Sequence, residues 1–142
     1  MAKSRMIGAK AHIARLRKLS GEGMVRDVGK ALFAAGEAIQ VEAQISITTG
    51  AVSGKKHVAS QPGEAPNNDT GVLANNIETH QIAPLVVEVS SNADYAAPLE
   101  FGTSKMSARP YMAPARDAKR KEVTQLVRHA VDRAVKRSKS SE

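Results

Sequence analysis

The chain contains no cysteine and no tryptophan, and only two phenylalanines and two tyrosines among 142 residues. Without cysteine there is no disulfide scaffold, no thiolate metal site and no cysteine nucleophile. With so few rings, the core has to be assembled from Ala, Val, Leu and Ile. No apolar run approaches the roughly 18 residues of a membrane-spanning helix. The basic start, Met1-Ala-Lys-Ser-Arg-Met6, is not followed by the apolar stretch and small-residue cleavage site of a signal peptide. These absences predict a soluble protein of a reducing cytoplasm, or of a particle assembled there, with no membrane partner. What is present suffices for folding: a 42% share of hydrophobic residues exceeds that of disordered chains, and the length fits one domain.

The net charge of +7 is unevenly spread. Residues 1–20 hold six cations (Lys3, Arg5, Lys10, Arg15, Arg17 and Lys18) and no acid. Residues 115–142 hold nine cations and four acids, whereas residues 21–114 hold six cations and ten acids. A uniformly basic nucleic-acid-binding domain would not be divided in this way. The basic ends can contact phosphates with a steep salt dependence. However, no aromatic residue lies among them to stack on bases, and neither end carries a reading-head motif. Solvated helix faces or partner-docking surfaces account for Arg15, Arg17, Lys119, Arg120 and Lys121 better than phosphate contact does.

Periodicity predicts a short helix over Lys3–Leu19, with Ile13, Leu16 and Leu19 on one stripe, ended by Ser20-Gly-Glu-Gly23. From Met24, the positions Val25, Val28, Leu32, Ala35, Ile39 and Ala43 predict an amphipathic helix of about six turns, ending near Thr49-Gly50. Residues 50–69 read as a long loop, with three glycines and two prolines. Within it Lys55, Lys56, His57, Pro62 and Gly63 are candidates for a segment that orders on docking.

Asp69-Thr70-Gly71-Val72-Leu73 then reads as a capped helical turn, with the Asp69 carboxylate accepting from backbone N–H groups and with Leu73 and Ile77 on one face. Two strands, near 77–83 and 85–91, are split at Ala83-Pro84, and Val87 and Val89 alternate with Glu88 and Ser90. Tyr95 to Phe101 is a short apolar segment stopped by Gly102. The last helix is predicted from Pro114, with Asp117 at its positive end and Arg133, Lys136 and Arg137 at its negative end. Its expected buried stripe is Val123, Val127, Ala130, Val131 and Ala134. The fold class is α+β: a long amphipathic N-terminal helix and a C-terminal helix packed on a small antiparallel β-sheet, with a long loop before the first strand. Residues 1–20 read as a basic helical extension, 21–137 as the domain and 138–142 as a flexible tail.

No constellation for chemistry emerges. Histidines 12, 57, 80 and 129 lack metal-ligand spacing. Ser53-Gly-Lys-Lys56 matches a serine acyltransferase pattern by letter only, and Gly102-Thr-Ser-Lys105 lacks the glycine that opens a phosphate loop. Glu100 and Asp94 are candidate acids without a nearby base. The sequence therefore predicts no enzyme and no cofactor.

One set of segments is distinctive. Tyr95-Ala96, leading to Glu100-Phe101-Gly102-Thr103, is followed by Ala108-Arg109-Pro110-Tyr111 and Pro114. Upstream lie Ser60-Gln-Pro-Gly-Glu-Ala-Pro66 and Asp69-Thr70-Gly71-Val72-Leu73, closing with Ile77. Together, over about residues 24–135, these resemble the head–tail joining proteins of long-tailed siphophages, also described as tail-component, tail-completion or neck proteins. Asn75-Asn76 departs from the Arg and Ser more usual there. The resemblance implies a structural virion protein of the neck or tail, assembled in the host cytoplasm. It implies a homo-oligomeric ring, six-fold or twelve-fold, between the head connector or stopper and the tail terminator or tail tube, through which genomic DNA passes without sequence-specific contact. The tail terminator itself is the alternative within that class, and a free phage-encoded DNA-binding protein is the alternative from another.

The motif residues also make structural sense alone. Gly102 suits a left-handed helix stop, and Gly71 permits close backbone approach. Tyr95, Phe101 and Tyr111 are expected to clamp the sheet to the long helix. Glu100 and Arg109 either pair across the Thr103–Ala108 loop or remain separate exposed charges.

Overall fold

The computed structural model describes residues 7–49, 59–67 and 70–140. The elements run α1 (Ala9–Leu19), α2 (Glu22–Thr48), α3 (Val72–Asn75), β1 (Ile77–Ala83), β2 (Val86–Ser91), α4 (Ala96–Phe101) and α5 (Met112–Lys139). The mixed α+β class predicted from the pattern is the one observed. Lys3 and Arg5, and the loop candidates Lys55, Lys56 and His57, lie outside the described residues, as does the proposed cap Asp69.

Two long helices carry the architecture. α2 and α5 pack antiparallel along their length: Asp27 near the start of α2 pairs with Arg137 near the end of α5, and Glu42 pairs with Lys119 at 3.7 Å. α2 starts at Glu22, earlier than the apolar pattern does, and runs for 27 residues. Glu22 in its first turn answers the positive end of the helix, so Gly23 is carried inside rather than breaking it.

The hairpin lies against another face of α2. β1 and β2 pair antiparallel, from Ile77 opposite Ser91 to Ala83 opposite Val86, with a register irregularity between Gln81 and Ala83. Pro84 and Leu85 make the turn, where the missing proline N–H removes nothing from the ladder. Thr79, Val87 and Val89 face Gly36 of α2. Two polar side chains of α2 complete the join: Gln40 Oε1 accepts from Thr79 Oγ1 at 2.7 Å, and Gln44 Nε2 donates to the Ala74 carbonyl at 3.0 Å. Below them the core gathers Ala43, Ile47, Leu73, Ala74, Ile77, Ala96, Tyr111 and Ala115.

α5 differs from its expected form in two ways. It begins at Met112 rather than at Pro114, which falls within its first turn. Its buried residues are Ala115, Ala130, Ala134 and Ser138, whereas Val123, Val127 and Val131 are only half-buried and line a shallow surface depression. The reason is close helix–helix approach. Ala35 of α2 and Ala130 and Ala134 of α5 are buried, and small residues on both sides bring two helices together, displacing the bulkier valines to the flank. The helix continues through Lys139, with Ser138 packed inside, where the sequence pattern places the start of the tail.

The ion pairs between α2 and α5 answer part of the C-terminal positive charge within the fold. Arg137 donates to the Asp27 carboxylate and holds its pKa below the ordinary aspartate value. A depressed carboxylate stabilises the fold fully above its unfolded pKa of about 3.9, and that contribution disappears as the pH falls through the lower folded value. Asp27→Asn should therefore be less stable than the wild type at pH 7, with the deficit closing on acidification below about pH 4. Thermal melts across that range check this. Because the pair is largely solvated, the deficit at pH 7 should be small.

Candidate functional site

The motif segments, scattered in sequence, meet at the end of the molecule where α5 begins. Gly102 ends α4 with φ 76° and ψ 176°, a region open only to glycine. A Cβ there would lie 2.8 Å from the Ala108 amide nitrogen and 3.0 Å from the Met106 carbonyl oxygen. This conformation folds the chain back on itself: Thr103 N–H donates to the Met106 carbonyl at 2.8 Å, and Arg109 N–H donates to Leu99 at 2.6 Å.

The fold-back delivers Glu100 to the first turn of α5. Its Oε2 accepts from the amides of Tyr111 at 2.8 Å and Met112 at 3.0 Å, and its Oε1 accepts from Ala113 at 2.9 Å. Glu100 and Arg109 thus do not pair; the backbone donors at the helix start claim the carboxylate instead. Arg109 turns the other way and donates from Nη1 to the buried Ser60 Oγ at 3.2 Å. Beside it, Gly63 N–H donates to the Ala108 carbonyl at 3.0 Å. The distal half of the long loop is therefore pinned to the Ala-Arg-Pro segment. Pro66 is buried and Ala65 packs on the core, while Pro62 and Gly63 remain exposed.

The three motif aromatics do not form one clamp. Tyr111 is 1% exposed and sits in the core, where burial pushes its phenol pKa up, but Tyr95 is 44% and Phe101 80% exposed. α4 turns Ala96 and Leu99 inward, and Phe101, at its last position, emerges outward as Gly102 bends the chain away. Of the remaining motif residues, Gly71 has φ 81° and caps α3, Leu73 is buried, Thr70, Thr103 and Pro114 are exposed, and Pro110 is half-buried. Ser60 as the partner of Arg109 could have been suspected only from its place in the motif, since nothing in local periodicity links residues 49 positions apart.

Between β2, α4 and α5 lies a largely apolar groove of about 540 Å³, with Ile39, Val87 and Val89 in it and Phe101 at its side. A second groove, of about 730 Å³, runs between α2 and α5, with Leu126 and alanines among Lys30, Arg133 and Lys136. His80 Nε2 lies 3.1 Å from Glu78 Oε2 on the hairpin, and His129 borders the second groove. Among the described residues no three His, Asp or Glu side chains are grouped to hold a metal ion. No described helix is long and apolar enough to cross a membrane.

Residues 10–102 match the family model described as "Bacteriophage HK97-gp10, putative tail-component". The chain belongs to this HK97-gp10-like family. The match spans α1 to α4 and stops at Gly102. Arg109 and Pro114 lie beyond the match, and Glu100 is the residue that ties the matched part to α5. No curated protein and no solved structure is significantly similar to this HK97-gp10-like chain.

Proposed function

We propose that this tail component acts in the neck, as a ring of identical copies that joins the DNA-filled head to the tail and lets DNA pass. The family match supports a place among phage tail components. The use of the motif residues supports a binding rather than a catalytic role: Glu100 holds a helix start, Arg109 holds a loop, Gly102 makes a turn and Tyr111 fills the core. In this reading the motif preserves a shape, and the partners are the head connector or stopper on one side and the tail terminator or tube on the other. DNA is a passenger.

The test is a phage lacking the gene. Electron micrographs should show DNA-filled heads and finished tails lying apart, and the supplied protein should restore joined particles. Tails of uncontrolled length would point to a terminator instead. Normal particles together with duplex binding by the isolated protein would overturn the neck reading in favour of a free DNA-binding protein.

A further inference from the structure

The hairpin covers α2 with one face only. Ile77, Thr79, Val87 and Val89 turn inward, so Glu78, His80, Ile82, Val86 and Glu88 turn outward. Ile82 is 60% exposed, and Leu85 and Val86 are each 49% exposed, at the turn end of this face. Residues 77–91 contain two glutamates and no lysine or arginine. The outer hairpin face is therefore apolar with an acidic border.

α1 has the opposite character. It contains no buried residue, and its Ile13 and Leu16 are 49% and 50% exposed despite its contacts with α5 and α2. Around them stand Lys10, Arg15, Arg17 and Lys18, with no acid in the helix. Unlike Lys119 and Arg137 of α5, Lys10, Arg15 and Arg17 meet no acid among the described residues.

We propose that α1 of one copy docks on the outer hairpin face of the next copy, with Ile13 and Leu16 against Ile82, Leu85 and Val86, and with the cations of α1 against Glu78 and Glu88. A single chain carries both halves of this contact. Like-on-like pairing is disfavoured, since two hairpin faces would oppose glutamate to glutamate and two α1 faces would oppose cation to cation. Charge thus selects a head-to-tail contact over a two-fold one, and a repeated head-to-tail contact closes into a ring when its rotation permits. This deepens the neck reading and rests on it for closure of the ring.

The cysteine-free chain allows a direct test. Leu16→Cys and Ile82→Cys are made as separate proteins, mixed and oxidised, with the exposed α5 position Gln125→Cys as the reference partner. The Leu16–Ile82 disulfide should form about tenfold in excess of either pairing with Gln125→Cys, because docking raises the local thiol concentration. The excess should shrink in high salt and when Glu78→Lys and Glu88→Lys are added. Equal yields for all pairings, or a dominant Ile82–Ile82 product, would overturn the contact. A chain that restores head–tail joining yet shows no preference refutes this contact alone. A clear preference in a chain that plays no part in joining refutes the neck reading alone.

Discussion

Glu100→Ala should lower the free energy of unfolding by about 3 kcal/mol, from the loss of charge-assisted hydrogen bonds to three amides of a helix start. The melting temperature should fall by about 10 °C. The first amides of any α-helix have no partner within it, and an ordinary cap is a side chain at the residue just outside. Here that residue is Tyr111, which makes no capping bond. The acceptor comes instead from α4, across the Gly102 fold-back, and satisfies Tyr111, Met112 and Ala113 at once. Its negative charge also meets the positive end of a 28-residue helix.

The loss should therefore exceed the ~1 kcal/mol typical of a local cap, because the same bonds dock α4 on α5. Glu100→Gln, which keeps one acceptor oxygen, should lose about half as much. Asp94→Ala, at an exposed position, should stay within about 0.5 kcal/mol of wild type. Denaturant titrations compare the three, and equal small losses for Glu100→Ala and Asp94→Ala would remove the cap from the account.

Glu100 also marks where the sequence stopped being legible. Its letters offer either a pairing with Arg109 or two separate exposed charges, and neither is what the structure shows. The true partners are backbone amides, which carry no signature in sequence, and they reach Glu100 only because Gly102 reverses the chain. Phe101 misleads for a related reason. A scarce aromatic in a motif suggests burial, but a six-residue helix has one inward stripe, and Ala96 and Leu99 occupy it. By contrast, the hairpin was readable almost to the residue, since Pro84 fixes the turn and Val87 and Val89 alternate with polar neighbours. Periodicity also located the three longer helices. It could not say which face of α5 would be innermost, because valine outranks alanine in hydrophobicity while alanine permits the closer approach to α2. Of the candidate surface, α1 showed its cations in the sequence, but the exposure of the outer hairpin face depends on which side α2 covers.

The inner face of that hairpin sets the second large effect. Gly29→Ala should destabilise the protein by about 2 kcal/mol, as overpacking does in a tight interior. Helix propensity alone predicts the opposite sign, with a gain of up to about 1 kcal/mol for replacing glycine inside a helix. Gly29, Gly36 and Ala43 recur at intervals of seven on α2, and all three are buried. This line of small residues is where the hairpin crosses the helix. A Cβ on Gly29 would stand 2.6 Å from the Pro84 carbonyl oxygen and 3.0 Å from Gln81 Nε2, which itself donates to that carbonyl. The hairpin turn would have to lift, exposing the surface beneath it.

At Gly36 the obstacles are the Thr79 and Val87 methyl groups, at 2.7 and 2.8 Å. These are side-chain atoms, so Gly36→Ala should destabilise less than Gly29→Ala. Gly23→Ala supplies the propensity reference, since a Cβ there meets nothing within 4 Å, and it should leave stability unchanged or slightly raised. If all three variants shift the unfolding midpoint upward together, the hairpin does not sit on α2 as closely as described. If Gly29→Ala and, less strongly, Gly36→Ala fall while Gly23→Ala holds, Gly29 and Gly36 are contact points at which the hairpin sits on α2.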